Sequence, residues 1–282
     1  MSGVALVTIA HGRHDHLRGQ HASLARGSLR PDLYVVVAMA DPVIEDWPVL
    51  GGLRPTVVPV DVGAEGLPLA AARNLGFGLA RDAGCDVLVG LDVDCLAGPT
   101  LLAAYDEVVR DEPDRVWAGP VTYLEPRPVG DDPLDRLDEL DDPHPARPAP
   151  VPGERRHHGD LDLFWSLSFA TSATTWDRSG GFCEDYVGYG GEDTDFGRRL
   201  GSAGIDLAWV GSARAYHQHH PVSSPPVEHV DDILRNGRIF RDRWGTWPML
   251  GWLTELERHG IVERRGDEWV RTDHRERTSS PS

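Results

Sequence analysis

Three near-continuous apolar runs constrain the fold of this chain more than any other feature of its sequence. They are VALVTIA at residues 4–10, LYVVVAMA at residues 33–40 and CDVLVGL at residues 85–91. Each run is rich in valine and lacks the polar alternation of a half-exposed strand, which is typical of strands covered on both faces. Buried strands of this kind belong to parallel sheets with helices on either side. The sequence therefore predicts an α/β fold with a mostly parallel central sheet.

Helical patterns separate the apolar runs, as a series of β-α-β units requires. The stretch LAAARNLGFGLARDAG has the Ala and Leu spacing of a helix and ends at Gly84, a residue suited to closing a helix. Further helices are predicted at residues 17–26 and 101–110, and further strands at residues 56–62 and 116–124.

Charge and composition exclude several kinds of partner. The chain has 282 residues, 40% of them hydrophobic, and a formal net charge of −17 that repels polyanions, so no nucleic acid partner is expected. No apolar stretch reaches the roughly 18 residues of a membrane span, and the start lacks the basic region of a signal peptide. Three cysteines without a CxxC pair suggest reduced thiols. We therefore expect a cytoplasmic protein without an integral membrane segment.

Composition also divides the chain into regions. Residues 1–221 are expected to form one α/β domain, and residues 222–272 a C-terminal extension of two helices and a hairpin. Within the domain, residues 125–160 are crowded with Pro, Asp, Arg and His, a composition that predicts a mobile excursion rather than part of the core. Residues 273–282 are expected to form a flexible tail.

Two acidic motifs carry the candidate chemistry. In LDVDC, Asp92 and Asp94 directly follow a buried strand, where parallel sheets open onto their ligand crevice, and two such carboxylates can share a divalent cation. An isolated Asp-x-Asp is also common in solvated turns. In GYGGEDTDFGRRL, Glu192, Asp193 and Asp195 follow glycines that allow a sharp turn and close approach to a ligand. The same acids suit a helix start, where Asp195 is expected to cap or pair locally.

Taken together, these motifs resemble nucleotide-sugar glycosyltransferases of the GT-A fold, especially those of family 2. The order of an ArN-bearing helix, a buried strand and a DxD in AAARNLGFGLARDAGCDVLVGLDVDC is that of the family, and VTIAHGRHDHL is similar to its first strand and loop. The stretch GGFCEDYVGYGGEDTDFGRRL is similar to the segment GGFDExFxGWGxEDxDLxxRL of family 2 enzymes and of the galactosyltransferase-type C-terminal domain. The resemblance implies a GT-A domain that transfers a sugar.

The resemblance also implies catalytic roles. Asp193 would be the general base that takes a proton from an acceptor hydroxyl, with inversion at the anomeric carbon, and Glu192 would orient the acceptor or donor sugar. Gly190 and Gly191 would lie against the sugar. Trp165 is a further candidate on chemical grounds, because aromatic faces stack well on sugar rings.

The donor is implied to be a nucleotide-diphospho-sugar, with a UDP-sugar favoured, and the acceptor a hydroxyl of a glycan, a lipid-linked molecule or a small molecule. Arg13 could equally be a surface charge and Asp41 an ordinary turn residue. The residues expected around the nucleotide are Ala10, His11, Arg13, Asp41, Arg73, Asn74, Asp92 and Val93.

A divalent metal, Mn²⁺ or Mg²⁺, is implied to bridge the acidic protein and its anionic donor. Asp94 would bind it, with Asp92 at the metal or its water shell and His217 of AYHQHHP as a third ligand. His219 and His220 are rivals of His217. One departure from the galactosyltransferases is Arg214, which stands where they carry a methionine three residues before this histidine.

Two other functions remain open on the sequence. A nucleotidyltransferase on a similar sheet would also use a DxD and a metal, but it would not require GYGGED. A non-catalytic glycan-binding module could keep the fold without transferring a sugar.

Overall fold

The first half of the domain builds β-α-β units in the predicted order. The computed structural model describes residues 3–126, 128, 132–221 and 223–272, so the predicted tail lies outside the described residues. The first elements are β1 (Gly3–Ala10), α1 (His14–Arg26), β2 (Leu33–Met39), α2 (Pro42–Glu45), β3 (Pro55–Val60), α3 (Leu69–Asp82) and β4 (Cys85–Leu91).

The second half of the domain alternates short strands with helices. Its elements are β5 (Cys95–Ala97), α4 (Leu101–Asp111), β6 (Arg115–Ala118), β7 (Val121–Tyr123), β8 (Arg155–Arg156), β9 (Ser168–Ser172), α5 (Ala173–Ser179), α6 (Glu192–Ser202), β10 (Asp206–Val210) and β11 (Ala215–His217).

Eight of these strands form the central sheet, in the order β3-β2-β1-β4-β9-β6-β10-β8. Strand β9 runs antiparallel to both β4 and β6, and β8 runs antiparallel to β10, whereas the remaining neighbours are parallel. The sheet is therefore mostly parallel, which confirms the predicted fold class. Because β9 is reversed, the residues that precede it lie at the same edge as the carboxyl ends of the parallel strands.

Both faces of the sheet are buried, which explains why the strands show no polar alternation. Leu6, Val36 and Val89 pack on the side of α1 and α4. Val7 and Val37 point to the opposite face, toward α3, α5 and α6. Neighbouring residues of one strand thus enter different cores, and each must be apolar.

A second, three-stranded sheet has the order β5-β11-β7. Strand β11 is antiparallel to β5 and parallel to β7, and the register places His217 beside Cys95 and Tyr123. This small sheet brings a histidine late in the chain next to the residue that follows Asp94.

The predicted excursion at residues 125–160 packs on the domain where it is described. It contains 3₁₀ turns at Pro133–Asp135 and Leu137–Leu140, and its strand β8 pairs with β10. Leu137 is buried with Leu124, with Leu134 and Leu140 alongside, because leucines recur every three residues in an otherwise polar stretch. The segment thus contributes a small apolar cluster, and a lid movement stays a prediction.

The extension consists of α7 (Val230–Trp244), α8 (Leu250–Arg258), β12 (Val262–Arg265) and β13 (Glu268–Arg271), with the last two strands paired as a hairpin. Its own apolar cluster includes Ile233, Leu253, Leu256 and Trp269. None of the helices in the described parts of the chain combines the length and the apolar character needed to cross a bilayer.

Candidate active site

The loop between β4 and β5, which carries Asp92 and Asp94, is held by three parts of the fold. The side chain of Gln20 on α1 donates to the Asp92 carbonyl at 2.7 Å. The Asp92 N–H donates to the carbonyl of Leu167 just before β9, and the Gln218 N–H donates to the Asp94 carbonyl. The two carboxylates therefore project from a fixed backbone at the carboxyl edge of the sheet.

Asp94, His217 and His220 form a group that we call the carboxylate-histidine group. Asp94 Oδ2 lies 3.5 Å from Nε2 of His217 and 3.3 Å from Nε2 of His220. The three ligand atoms lie within 4.8 Å of one another. Burial alone would raise the pKa of Asp94, but hydrogen bonds from the two histidines hold it well below its usual range.

This donor set fits a divalent transition metal, because imidazole and carboxylate ligands together suit ions such as Mn²⁺. His217, which the sequence favoured, is part of the group, and so is its rival His220, whereas His219 and Asp92 are not. His217 ends β11, and His220, three residues further on, returns to the same carboxylate.

Arg73 on α3 joins the DxD loop to α6. Its Nη2 donates to Oδ1 of Asp92 at 3.1 Å, and its Nη1 lies 3.7 Å from Oε1 of Glu192. Burial would lower the pKa of this arginine, but Asp92, Asp193 and Glu192 together raise it. Burial in turn raises the pKa of Asp92. One buried cation therefore lies among the acids of both motifs.

Glu192 and Asp193, which we call the acid pair, open the first turn of α6. Oδ2 of Asp193 accepts hydrogen bonds from the backbone N–H of Ser166 at 2.9 Å and from its hydroxyl at 3.2 Å. Oδ1 is shielded from solvent and has no hydrogen-bond partner among the described residues. One carboxylate oxygen is thus held in place by Ser166, while the other has no donor among the described residues.

The turn into α6 needs glycine. Gly191 occupies the position before the helix with a φ of 96°, and Gly190 has a φ of 89°. Both values lie in the left-handed region, where residues with a side chain are strained. The predicted glycines therefore set the direction in which the acid pair points.

Glu192 is buried, and its pKa is raised to about 7 because burial disfavours the charged carboxylate and the charge of Asp193 repels it. A folded-state pKa above the unfolded value of 4.5 gives a contribution to stability that is complete below about pH 4.5. That contribution is lost as the pH rises through about 7.

We expect Glu192→Gln to remove this pH dependence. The shift of the Glu192 pKa from 4.5 to about 7 corresponds to about 3 kcal/mol in the free energy of unfolding. The wild type should lose this contribution between these two pH values. The variant, which is neutral throughout, should not. Urea unfolding of both proteins across the range measures the difference. Glu257→Gln, on an exposed part of α8, is the control. Parallel curves for Glu192→Gln and the wild type would contradict the assignment.

A row of rings connects the carboxylate-histidine group to the acid pair. His217 stacks on Tyr123 with ring centroids 4.5 Å apart, and Tyr123 lies 5.1 Å from His144, which lies 5.5 Å from Trp165. Trp165 directly precedes the residue that binds Asp193. Through Arg73 on one side and these rings on the other, two chains of contacts link the two motifs at the carboxyl edge of the sheet.

Arg147 lies behind this row and was missed by sequence reasoning. Its guanidinium lies over the rings of Trp165 and Trp209, at 5.2 and 4.7 Å from their centroids. The residue is 5% exposed, and none of its side-chain nitrogens has a hydrogen-bond partner in the described part of the chain. Tyr123, His144 and Arg147 lie in or beside a stretch whose composition predicts a loop, and no local pattern distinguishes them.

The residues predicted around the nucleotide lie at the ends of β1 and β2 and on α3, but several of their polar groups already have partners. His11 donates from Nδ1 to the Met39 carbonyl at 2.7 Å, and Arg13 has a left-handed φ of 54° at the start of α1. Ala10 is buried at the end of β1, and Val93 packs against the core.

The side chains of Asp41 and Asn74 form hydrogen bonds with other segments of the domain. Asp41 accepts from the N–H groups of Gly12 and Ile44 and from His14, which keeps its pKa low despite burial. Asn74 exchanges hydrogen bonds with the backbone of Phe182. Asp41 thus has the turn and capping role that the sequence left open, and contact with a nucleotide stays a prediction for both residues.

Asp195 differs from the expectation of local capping or pairing. It is fully buried, and its Oδ1 accepts hydrogen bonds from the hydroxyl of Tyr186 and from Nε1 of Trp244 at 2.8 Å. The same oxygen forms an ion pair with Nε of Arg243 at 3.0 Å. Two of these partners belong to α7, about fifty positions away in the chain. Sequence spacing carries no signal for such a contact.

Known proteins with similar sequences are glycosyltransferases. Residues 158–221 match the family model described as the N-terminal domain of galactosyltransferase. The chain is 30% identical over 234 residues to validoxylamine A glucosyltransferase of Streptomyces hygroscopicus subsp. jinggangensis, an alignment that covers 73% of this chain and 53% of that protein. It is 28% identical over 184 residues to hyaluronan synthase of Pasteurella multocida, covering 55% of this chain and 18% of the synthase. The chain thus spans about half the length of the glucosyltransferase and less than a fifth of the synthase.

Solved structures with a similar fold are S. aureus TarS 1-349 in complex with UDP-GlcNAc and GalNAc-T7 with UDP, GalNAc and Mn²⁺. TarS has a TM-score of 0.58 at 11% identity, covering 92% of this chain and 78% of its own. GalNAc-T7 has a TM-score of 0.53 at 15% identity, covering 92% of this chain and 57% of its own. The chain therefore has the fold of the GT-A nucleotide-sugar glycosyltransferases and is related in sequence to glycosyltransferases.

Proposed function

We propose that this chain transfers a sugar from a nucleotide-diphosphate donor to an acceptor hydroxyl, with Asp193 as the general base. The proposal rests on one observation above all. A carboxylate with one fixed oxygen and one oxygen that has no partner among the described residues is connected by a row of contacting rings to a carboxylate-histidine group, and the proposed substrate cleft lies between them. Such an arrangement suits a proton acceptor next to a site for a metal-bound diphosphate.

In the proposed reaction, the acceptor oxygen attacks the anomeric carbon as its proton passes to Oδ1 of Asp193. The bond from the anomeric carbon to the phosphate oxygen breaks, and its electron pair leaves with the nucleoside diphosphate. Ser166 keeps Oδ2 of Asp193 in place and leaves Oδ1 without a described donor, which makes Oδ1 the oxygen available to the proton of a bound acceptor. Attack by the acceptor opposite the departing phosphate inverts the configuration at that carbon.

Asp94, His217 and His220 would hold a divalent metal, Mn²⁺ or Mg²⁺, which supplies Lewis-acid stabilisation of the diphosphate when bound. The positive charge of Arg73 offsets the repulsion between the carboxylates of Asp92 and Glu192. A UDP-sugar is the proposed donor, in line with the UDP-GlcNAc and UDP complexes of the two proteins with a similar fold. The acceptor is a hydroxyl compound of unassigned identity.

Donor hydrolysis and transfer test this function. The purified chain is incubated with UDP-glucose, UDP-GlcNAc and the corresponding GDP and dTDP sugars, with Mn²⁺ or with EDTA, and the released nucleoside diphosphate is quantified. We expect release from at least one donor with Mn²⁺ and none with EDTA. Pyrophosphate release from a nucleoside triphosphate would instead indicate a nucleotidyltransferase. Nucleotide-sugar binding without any release would indicate a non-catalytic module.

A further inference from the structure

Helix α7 of the extension presents one face to the loop that leads into α6. Asp232, Asn236 and Arg243 are four and seven positions apart, a spacing that places them on the same side of a helix. All three contact residues 186–195, which surround the acid pair. We infer that α7 positions the acid pair for sugar transfer and that Asn236 is its central positioning residue. This inference rests on the proposed function.

Asn236 is fully buried and serves the backbone of the loop at residues 187–191, which we call the glycine loop. Its Nδ2 lies 3.0 Å from the carbonyl oxygen of Val187, 3.2 Å from that of Tyr189 and 2.9 Å from that of Gly190. Glycine-rich backbone has little conformational preference of its own, so its shape depends on such contacts. One amide group therefore gathers three carbonyls of the segment that ends at Glu192.

Asp232, one turn before Asn236 in α7, and Arg235, the residue directly before it, contact the same loop. Oδ2 of Asp232 accepts from the N–H of Tyr189 at 3.1 Å, and Arg235 donates to the carbonyl of Val187 and to Asp232. A Cβ atom at Gly188 would collide with the carboxylate of Asp232. The glycine is therefore required by the approach of the helix as well as by its own positive φ.

A second attachment lies on the other side of the acid pair. The buried carboxylate of Asp195 forms an ion pair with Arg243 and accepts a hydrogen bond from Trp244, both near the end of α7. Helix α7 thus contacts the chain both before Glu192, at the glycine loop, and two residues after Asp193, at Asp195. A shift of the helix would move the carboxylates of the acid pair relative to an acceptor. Among the residues that the structure describes, the carboxylate-histidine group, on the β4-β5 loop and around β11, has no such hydrogen bond or ion pair with α7.

The contacts of α7 should therefore affect the rate of transfer and the binding of UDP and Mn²⁺ differently. Loosening the contacts of α7 should lower kcat for transfer, because small misplacements of a reacting group are costly. It should leave binding of UDP and Mn²⁺ unchanged. A merely structural helix would instead change both together with the overall stability.

Asn236→Ala tests the inference. We expect kcat for transfer to fall about 10- to 100-fold, with the affinity for UDP and Mn²⁺ within about twofold of the wild type, and faster amide hydrogen exchange at residues 187–191. Asn236→Asp keeps the shape but faces three carbonyl oxygens without a donor, and should be at least as impaired. Arg238→Ala is the matched control, since Arg238 lies on the same helix and bonds to the hairpin at Trp269.

Each outcome decides a different point. Faster exchange in the glycine loop with an unchanged kcat would overturn the positioning role and leave the proposed function intact, as would unchanged exchange. A wild-type protein that neither hydrolyses nor transfers from any donor would overturn the proposed function, whereas the exchange data would still decide whether α7 holds the loop. If Asn236→Ala does not fold, Asp232→Ala removes a half-buried contact to the same loop and is judged by the same criteria.

Discussion

Asp193→Asn is expected to lower kcat for sugar transfer by about 10³-fold, because an amide has no basic oxygen to take the proton of the acceptor, and a general base contributes about 10²- to 10⁴-fold. The amide retains an oxygen that can accept from Ser166, so the local geometry should persist. Steady-state transfer rates measure the effect, and calorimetry with UDP and Mn²⁺ should show wild-type affinity.

Asp185→Asn is the control for this prediction, since Asp185 is an exposed acid eight positions earlier in the same acidic segment. It should retain wild-type rates. If Asp193→Asn keeps more than about a tenth of the wild-type kcat, Asp193 is not the base. A parallel loss of UDP affinity would instead indicate that the substitution disturbs the cleft as a whole.

Asp94→Ala has the second large expected effect, and it acts on binding. The variant should lose about 100-fold or more in affinity for Mn²⁺ measured together with UDP, and transfer should fall to background, because the carboxylate is the anionic member of the group. Electron paramagnetic resonance of free Mn²⁺ in a titration measures the affinity directly, without reference to turnover.

The two histidines sharpen this test. His217→Ala and His220→Ala should each weaken Mn²⁺ binding, since both imidazoles face Asp94. Asp86→Ala, at the exposed start of β4, should bind Mn²⁺ like the wild type. Wild-type Mn²⁺ affinity in Asp94→Ala would refute the proposed metal site, and wild-type affinity in only one histidine variant would remove that histidine from it.

Much of the fold could be predicted because its signals are local. Strands buried on both faces, such as those containing Val7 and Val36, show continuous apolar runs, and a helix such as α3 shows its periodicity over fourteen residues. The acid motifs were also visible, because carboxylates directly after a buried strand or a glycine pair conflict with ordinary packing. At those positions the sequence alone indicates candidate functional residues.

The remaining features of the site depend on contacts between distant segments. Nothing adjacent to Arg147 in the sequence indicates that it ends up between two tryptophan faces, and nothing near Asn236 indicates that it binds the backbone of the glycine loop. For the same reason, the sequence could not show that both His217 and His220 face Asp94. The two residues are three positions apart, and only the path of the chain after β11 brings the second imidazole to Asp94.

The small sheet of β5, β11 and β7 has a consequence for how chains of this kind can diversify. About 120 residues separate Asp94 from His217 in the sequence, yet the register of three short strands sets their distance. We therefore expect the carboxylate-histidine group to keep its geometry through insertions and deletions in the intervening chain as long as that register survives. If the proposed function holds, variation or loop grafting between Tyr123 and β9 would reshape the acceptor side without rebuilding the site proposed for the leaving group.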